Sequence, residues 1–286
     1  MVSVILALFA AGCNAVASVL QRRAARSVPY LKGFRLVLAL VRKPVWLGGI
    51  AALIGGFVFQ AAALNAGALA LVQPVLIIEL PFTMVLMSWM FGVALDRRSW
   101  LGVGAMTGGL AVLLASASPS PGDRTPTPLE WALATLVTIA VVTGLVLASR
   151  LVTGAARAAA LGVAAGVGFA FTATFIKEST VVFQEDSARL ATSWQLYAMV
   201  AAGLVSLFLL QSALQSGTLV AAQPALTTSD PVASIMYGTT MFGEDIRTGV
   251  WVLPETLGIV SIICGSLLLA QSPLVRDRPR ASPARR

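Results

Sequence analysis

Long uncharged apolar runs recur along the whole chain, and they leave it few ways to fold. A helix needs about 17 to 25 apolar residues to cross a ~30 Å hydrocarbon core. Windows of that kind fall near 2–20, 45–64, 67–94, 100–117, 129–148, 158–176, 192–212, 217–242 and 251–270. In lipid every backbone polar group must be satisfied within the protein, so such segments fold as helices. The spacing predicts nine of them, hence an all-α integral membrane protein. Composition agrees, since 57% of residues are hydrophobic, only 11% are charged and the mean hydropathy is +0.86.

The charges orient the segments. With the N-terminus outside, Arg22, Arg23, Arg26, Lys32, Arg35, Arg42, Lys43, Arg97, Arg98, Arg150, Arg157 and the tail arginines fall in inner loops, against Arg124, Lys177, Arg189 and Arg247 outside. Lys and Arg concentrate on the cytoplasmic side. The chain is therefore expected in the plasma (inner) membrane, multi-pass, with its C-terminus cytoplasmic. The first segment has no basic residues before it and many after it, which suits a retained helix rather than a signal peptide. The net charge of +8 then faces the anionic inner leaflet of the bilayer and needs no nucleic acid.

The sequence contains no His, and its two cysteines, Cys13 and Cys264, lie in different segments. Zinc sites, disulfide frameworks and Cys-His catalysis are thereby removed, and no Ser-Lys or paired-Asp spacing takes their place. Neither an enzyme nor a cofactor is expected. The glycine runs, such as Gly108-Gly109 and those between Gly162 and Gly168, suit close helix packing rather than phosphate loops, and leave room for a homodimer.

Two apolar segments carry an acid near their middle, and they resemble each other. Gln73, Pro74, Leu76 and Pro81 match Gln223, Pro224, Leu226 and Pro231 at an offset of 150 residues, and Met90-Phe91-Gly92 matches Met241-Phe242-Gly243 one residue later. Gly67 and Leu69 match Gly217 and Leu219 as well, which points to duplication. The matched segments are the third and the eighth, so one crosses in the opposite sense to the other and the repeat is inverted. The expected organisation is an N-terminal repeat at 1–118 of four helices plus an interfacial helix near 30–42, a Pro/Ser-rich linker at 119–128, a C-terminal repeat at 129–271 of five helices, and a disordered basic tail at 272–286. Segments 1, 2, 3 and 4 are matched to 5, 7, 8 and 9.

The acids are Glu79 and Asp230. A carboxylate at mid-bilayer depth costs roughly 2.5 to 3.5 kcal/mol on insertion scales, so two in corresponding places point to a site. Pro74, Pro81, Pro224 and Pro231 free backbone carbonyls there, and Gln73, Gln223, Thr227 and Thr228 add polar groups for substrate or protons. Each acid could instead be held by these neighbours and serve packing alone. Asn14, Gln60, Asn65 and Gln195 are candidates to line a cavity, although interhelical hydrogen bonds suit them equally. Lys177 and Glu178 read as a surface ion pair or an outer gate at the end of the sixth helix, and Glu255 as facing the outer headgroups.

An apolar helix with a central Pro, a short corner after Phe-Gly and a Gly-rich closing helix from Leu101-Gly102 to Leu114 resembles the EamA-type repeat of the drug/metabolite transporter superfamily. The second corner keeps the family's Gly-Glu as Gly243-Glu244, while the first reads Gly92-Val-Ala-Leu-Asp96. Nine helices, the basic stretch near Tyr30, Trp46 and the Ala-Leu-Val-Gln-Pro74 step look closest to the NIPA-like magnesium-transporter branch. The resemblance implies a secondary transporter moving a small cationic or amphipathic solute by alternating access, with proton coupling through the acids. It leaves open Mg²⁺ or another divalent cation held by Glu79 and Asp230, and a non-transporting membrane scaffold also stays open.

Overall fold

The computed structural model describes residues 1–27, 41–92, 94–216, 219–247 and 249–272. The expected interfacial helix near 30–42 falls almost wholly outside these residues, as does the tail beyond Ser272. The described residues form α1 (Val2–Arg26), α2 (Pro44–Ala66), α3 (Leu69–Leu76), α4 (Glu79–Phe91), α5 (Arg97–Ala117), α6 (Pro128–Leu151), α7 (Gly154–Glu185), the short α8 (Ser187–Leu190), α9 (Trp194–Ser216), α10 (Leu219–Met241) and α11 (Val252–Ala270), with no strand among them. Eight spans are long and apolar enough to cross a membrane, α3 and α4 counting as one. The helix Leu219–Met241 is 23 residues long and lies outside that set; its Gln, Thr, Ser and Asp make it more polar than the others. This is the architecture of an all-α, multi-pass membrane protein.

Local chemistry sets the helix starts. Pro44 and Pro128 open α2 and α6, where a missing N–H is harmless. Thr127 and Glu130 form a capping box on α6. Asp96 caps α5, accepting from the Ser99 hydroxyl and from its N–H at 3.0 Å. The Ser99 hydroxyl, followed by its N–H, holds the Asp96 carboxyl below the usual range.

α7 is the centre of the bundle. It carries α10, α9 and α6 around it, and 67% of its apolar window is buried against 11% for the peripheral α6. At 32 residues it runs well beyond the expected 158–176, and Lys177 and Glu178 lie inside it rather than at its end. Elsewhere α1 packs on α2, and α5 packs on α11. The last contact is backbone to backbone. A Cβ on Gly109 would meet the Gly258 carbonyl at 2.7 Å, and one on Gly265 would meet the Gly102 carbonyl at the same distance. Small residues permit that approach between antiparallel helices.

Loop contacts gather the helix ends into two sets. At one end Arg247 N–H donates to Ala117, Ser120 N–H to Asp245 and Arg124 N–H to Phe242, so the linker after α5 lies on the corner after α10. Gly67, just before α3, packs on Ser3 of α1 there. At the other end Arg22 donates to the Met87 sulfur at 3.4 Å, and Ser99 bonds Ser272 at 2.8 Å. Accordingly α3–α4 runs from the first end to the second, and α10 runs back.

Candidate functional site

The third segment is broken where its sequence demands. Pro81 has no N–H for the Ile77 carbonyl, and tighter i to i+3 bonds take over. Ile77 N–H donates to Pro74, Ile78 to Val75 and Leu80 to Ile77, at 3.1, 3.1 and 3.2 Å. Residues 77 and 78 leave the helix, and Glu79 becomes the first residue of α4. Its carboxylate meets the Asn14 side chain of α1. Asn14 in turn packs on Gly56 of α2, where a Cβ would lie 3.3 Å from the Ala10 carbonyl as well. A helix start favours an anion, so Glu79 has two sources of support.

α10 stays continuous through Pro224 and Pro231. Thr227 and Thr228 occupy the positions of Ile77 and Ile78, and their hydroxyls donate to the Gln223 and Pro224 carbonyls at 2.8 Å each. Gln223 lies 3.5 Å from the Thr227 hydroxyl. Asp230 accepts from Ser234, one turn on, at 3.2 Å. Both carboxylates are half-buried within the bundle, and each has a different hydrogen-bond partner rather than the other acid.

What the fold brings together is the break and the polar face of α10. Ile77, Thr227, Thr228 and Pro231 line one small cavity with Leu113 of α5 and Ile262 of α11. Its volume is about 10 Å³, roughly that of one water. Gln73 is buried on α3. Gln60 is half-buried in α2. Asn65 is exposed in the last turn of α2. Gln195, second residue of α9, lines a groove at the bundle end and not its middle. Glu255 is half-buried in the first turn of α11, with one carboxylate oxygen lacking a hydrogen bond. Among the described residues, no group of three or more His, Cys, Asp or Glu could hold a metal ion.

The most elaborate polar cluster joins Glu244 and Lys177. Glu244, only 3% exposed, accepts from the Leu69 N–H at 2.6 Å and the Ala70 N–H at 2.9 Å. It also pairs with the Lys177 ammonium, which lies 4.6 Å from the centre of the Phe242 ring. Ala68, the residue before α3, has no side chain to cap the helix, so Glu244 caps it from a distant part of the chain. Lys177 is thus not a surface partner of Glu178 but the counter-ion of a buried acid. The Gly243-Glu244 corner marked the acid in the sequence; nothing there identified its partners. A second polar contact, Thr138 with Tyr237 at 2.6 Å, ties α6 to α10.

Comparison with known proteins adds one relative. The chain is 27% identical over 255 residues to an uncharacterized protein of Corynebacterium glutamicum, the alignment covering 88% of each chain. No family model matches the chain. No solved structure matches it either.

Proposed function

We propose that this chain is a secondary transporter of the drug/metabolite class. It moves a small cationic or amphipathic solute by alternating access, with protons as the coupling ion. The observation that carries the reading is a half-buried carboxylate in each of two proline-bearing helices of opposite direction, Glu79 at the break after α3 and Asp230 within α10. Intramembrane acids of this kind mark proton relays and ion paths, and broken helices near the midplane are where transporters place their sites.

The packing supports an inverted repeat with one amended match. Pro44–Ala66 and Trp194–Ser216, and the spans Leu69–Phe91 and Leu219–Met241, are equal in length and start 150 residues apart. α1 packs on α2 as α7 packs on α9, so the sixth segment, and not the fifth, stands for the first. Every matched pair is then five crossings apart, as inversion requires, and α6 is the extra helix. Gly92 and Gly243 share φ +64°. Gly109 and Gly258 touch each other across α5 and α11, as counterparts on a two-fold axis do. Counting α10, the chain crosses nine times, and the loop charges favour an outside N-terminus in the plasma membrane.

The test is flux into proteoliposomes. With an imposed proton gradient, ethidium uptake is expected in the wild type and not in Glu79→Gln with Asp230→Asn. Unchanged flux in that variant would refute the site. Mg²⁺ entry, followed with a trapped dye, would instead favour the divalent-cation alternative if the same variant abolished it.

A further inference from the structure

At the end of the bundle where α6 begins, a groove of about 630 Å³ runs between α6 and α9 over α7, within the size range of small-molecule sites. Two indoles form its walls. Trp131 of α6 and Trp194 of α9 meet edge to face with centroids 5.3 Å apart, and Phe175 of α7 is stacked on Trp131 at 4.9 Å and edge-on to Trp194 at 5.8 Å. Glu178 follows Phe175 by one helical turn, which brings it into the same groove beside Gln195. Among the described residues no hydrogen bond or ion pair holds this carboxylate. Its charged neighbours are Lys177, whose ammonium is taken by Glu244, and Glu185, which adds negative charge two turns along α7. Further along α6, Leu136 and Ile139 are 64% and 58% exposed and extend the groove as an apolar wall.

An unpaired carboxylate beside aromatic faces attracts a cation whose charge is shielded by carbon, because the rings and the acid both interact with it and little hydration is lost. A bare divalent ion needs more oxygen ligands than one carboxylate and one amide supply. We propose that this groove binds an amphipathic organic cation, its ammonium or phosphonium centre against Glu178 and the exposed indole of Trp194, which the buried Trp131 and Phe175 hold in place, its apolar body along Leu136 and Ile139. The occupant is a free solute rather than a lipid headgroup: the ammonium of a zwitterionic lipid carries a phosphate with it, and no Lys or Arg lines the groove to receive one. The site lies apart from Glu79 and Asp230, and binding to it does not depend on the transport reading.

The experiment is binding of tetraphenylphosphonium to the purified full chain in detergent, read by equilibrium dialysis and by tryptophan quenching. Saturable binding is expected, with one probe per chain belonging to the groove. Glu178→Gln should weaken it about tenfold or more, with the thermal midpoint unchanged because Glu178 has no bond to lose. Trp194→Phe should weaken it several-fold and remove part of the quenching. Glu79→Gln with Asp230→Asn should keep the component of binding that Glu178→Gln weakens, so that a failure of groove binding and a failure of flux are read separately. The proposal is overturned by absence of saturable binding, by an unchanged Kd in Glu178→Gln, by loss of binding in the Glu79/Asp230 variant, or by displacement of the probe by an equimolar amount of phosphatidylethanolamine.

Discussion

Removing Glu244 tests the structure most sharply, because one carboxylate serves three donors. In Glu244→Ala the N–H groups of Leu69 and Ala70 lose their acceptor, and each buried donor left unpaired costs about 1–3 kcal/mol. Lys177 stays in place at 12% side-chain exposure with no counter-charge, and breaking a buried pair from one side costs about 3–5 kcal/mol. These costs overlap on one group, so the expected loss is about 4 kcal/mol rather than their sum. At about 2–4 °C per kcal/mol for chains near this size, the unfolding midpoint falls by about 10 °C. Lys177→Met should cost about half as much, since Glu244 keeps both backbone donors and the helix start still favours its charge. The double variant should show about 2 kcal/mol of coupling. Thermal unfolding of purified protein in detergent gives the midpoints. A fall below about 2 °C in Glu244→Ala, or strict additivity with Lys177→Met, would refute the buried pairing.

Gly109→Leu should destabilise by at least about 1–3 kcal/mol, because the added Cβ meets the Gly258 carbonyl at 2.7 Å and the Ile262 nitrogen at 3.0 Å, both backbone atoms. Gly108→Leu, one residue round the helix with nothing within 4 Å, is the matched control, and equal midpoints for the two would contradict the seam. Asp96 carries a pH dependence. Its folded carboxyl titrates below the unfolded value, so its contribution is present above the ordinary aspartate range and lost as pH falls through the lowered value. Amide exchange at the start of α5 should therefore quicken on acidification in the wild type and lose that component in Asp96→Asn.

The helical character and the approximate bounds of most segments were legible because a membrane helix is recognised by a run of apolar residues, and runs survive without knowledge of neighbours. The exceptions have local causes. The sixth segment looked short because Lys177 and Glu178 end its apolar run, yet the helix continues past them, one charge being taken by Glu244 and the other facing a groove. Asn65 and Gln195 looked central because hydropathy assigns depth but not helix face; one is exposed and the other lies at a helix start. Matching the first segment to the fifth followed from order along the chain, whereas the repeat proposed above follows packing and matches the first to the sixth. The acids and prolines were visible as residues, but their separate partners, Asn14 and Ser234, depend on side-chain direction, which an offset of 150 or 151 residues does not convey.

That single-residue difference in offset matters for mechanism. At the offset of 150 residues Ser229, and not Asp230, aligns with Glu79, and it is Ser229 that packs on Gly166 of α7, whereas Glu79 meets Asn14 of α1. One residue is about 100° of helix rotation, so Asp230 points away from the direction its partner takes. The backbones diverge as well. Thr227 and Thr228 bond back to carbonyls one turn earlier on a continuous α10, at positions where the first half has Ile77 and Ile78 and the chain breaks. The charge of Glu79 is supported by an amide and a helix start, that of Asp230 by one hydroxyl inside a continuous helix. The ends differ as well, since Glu244 caps α3 and the first corner offers Val93 in its place. On the transport reading the two acids therefore cannot exchange roles. On the same reading, a repeat matched in its helices and unmatched in its carboxylates and corners presents different polar groups to its two ends, so inward- and outward-facing states differ in stability while the imposed gradients set the direction of flux.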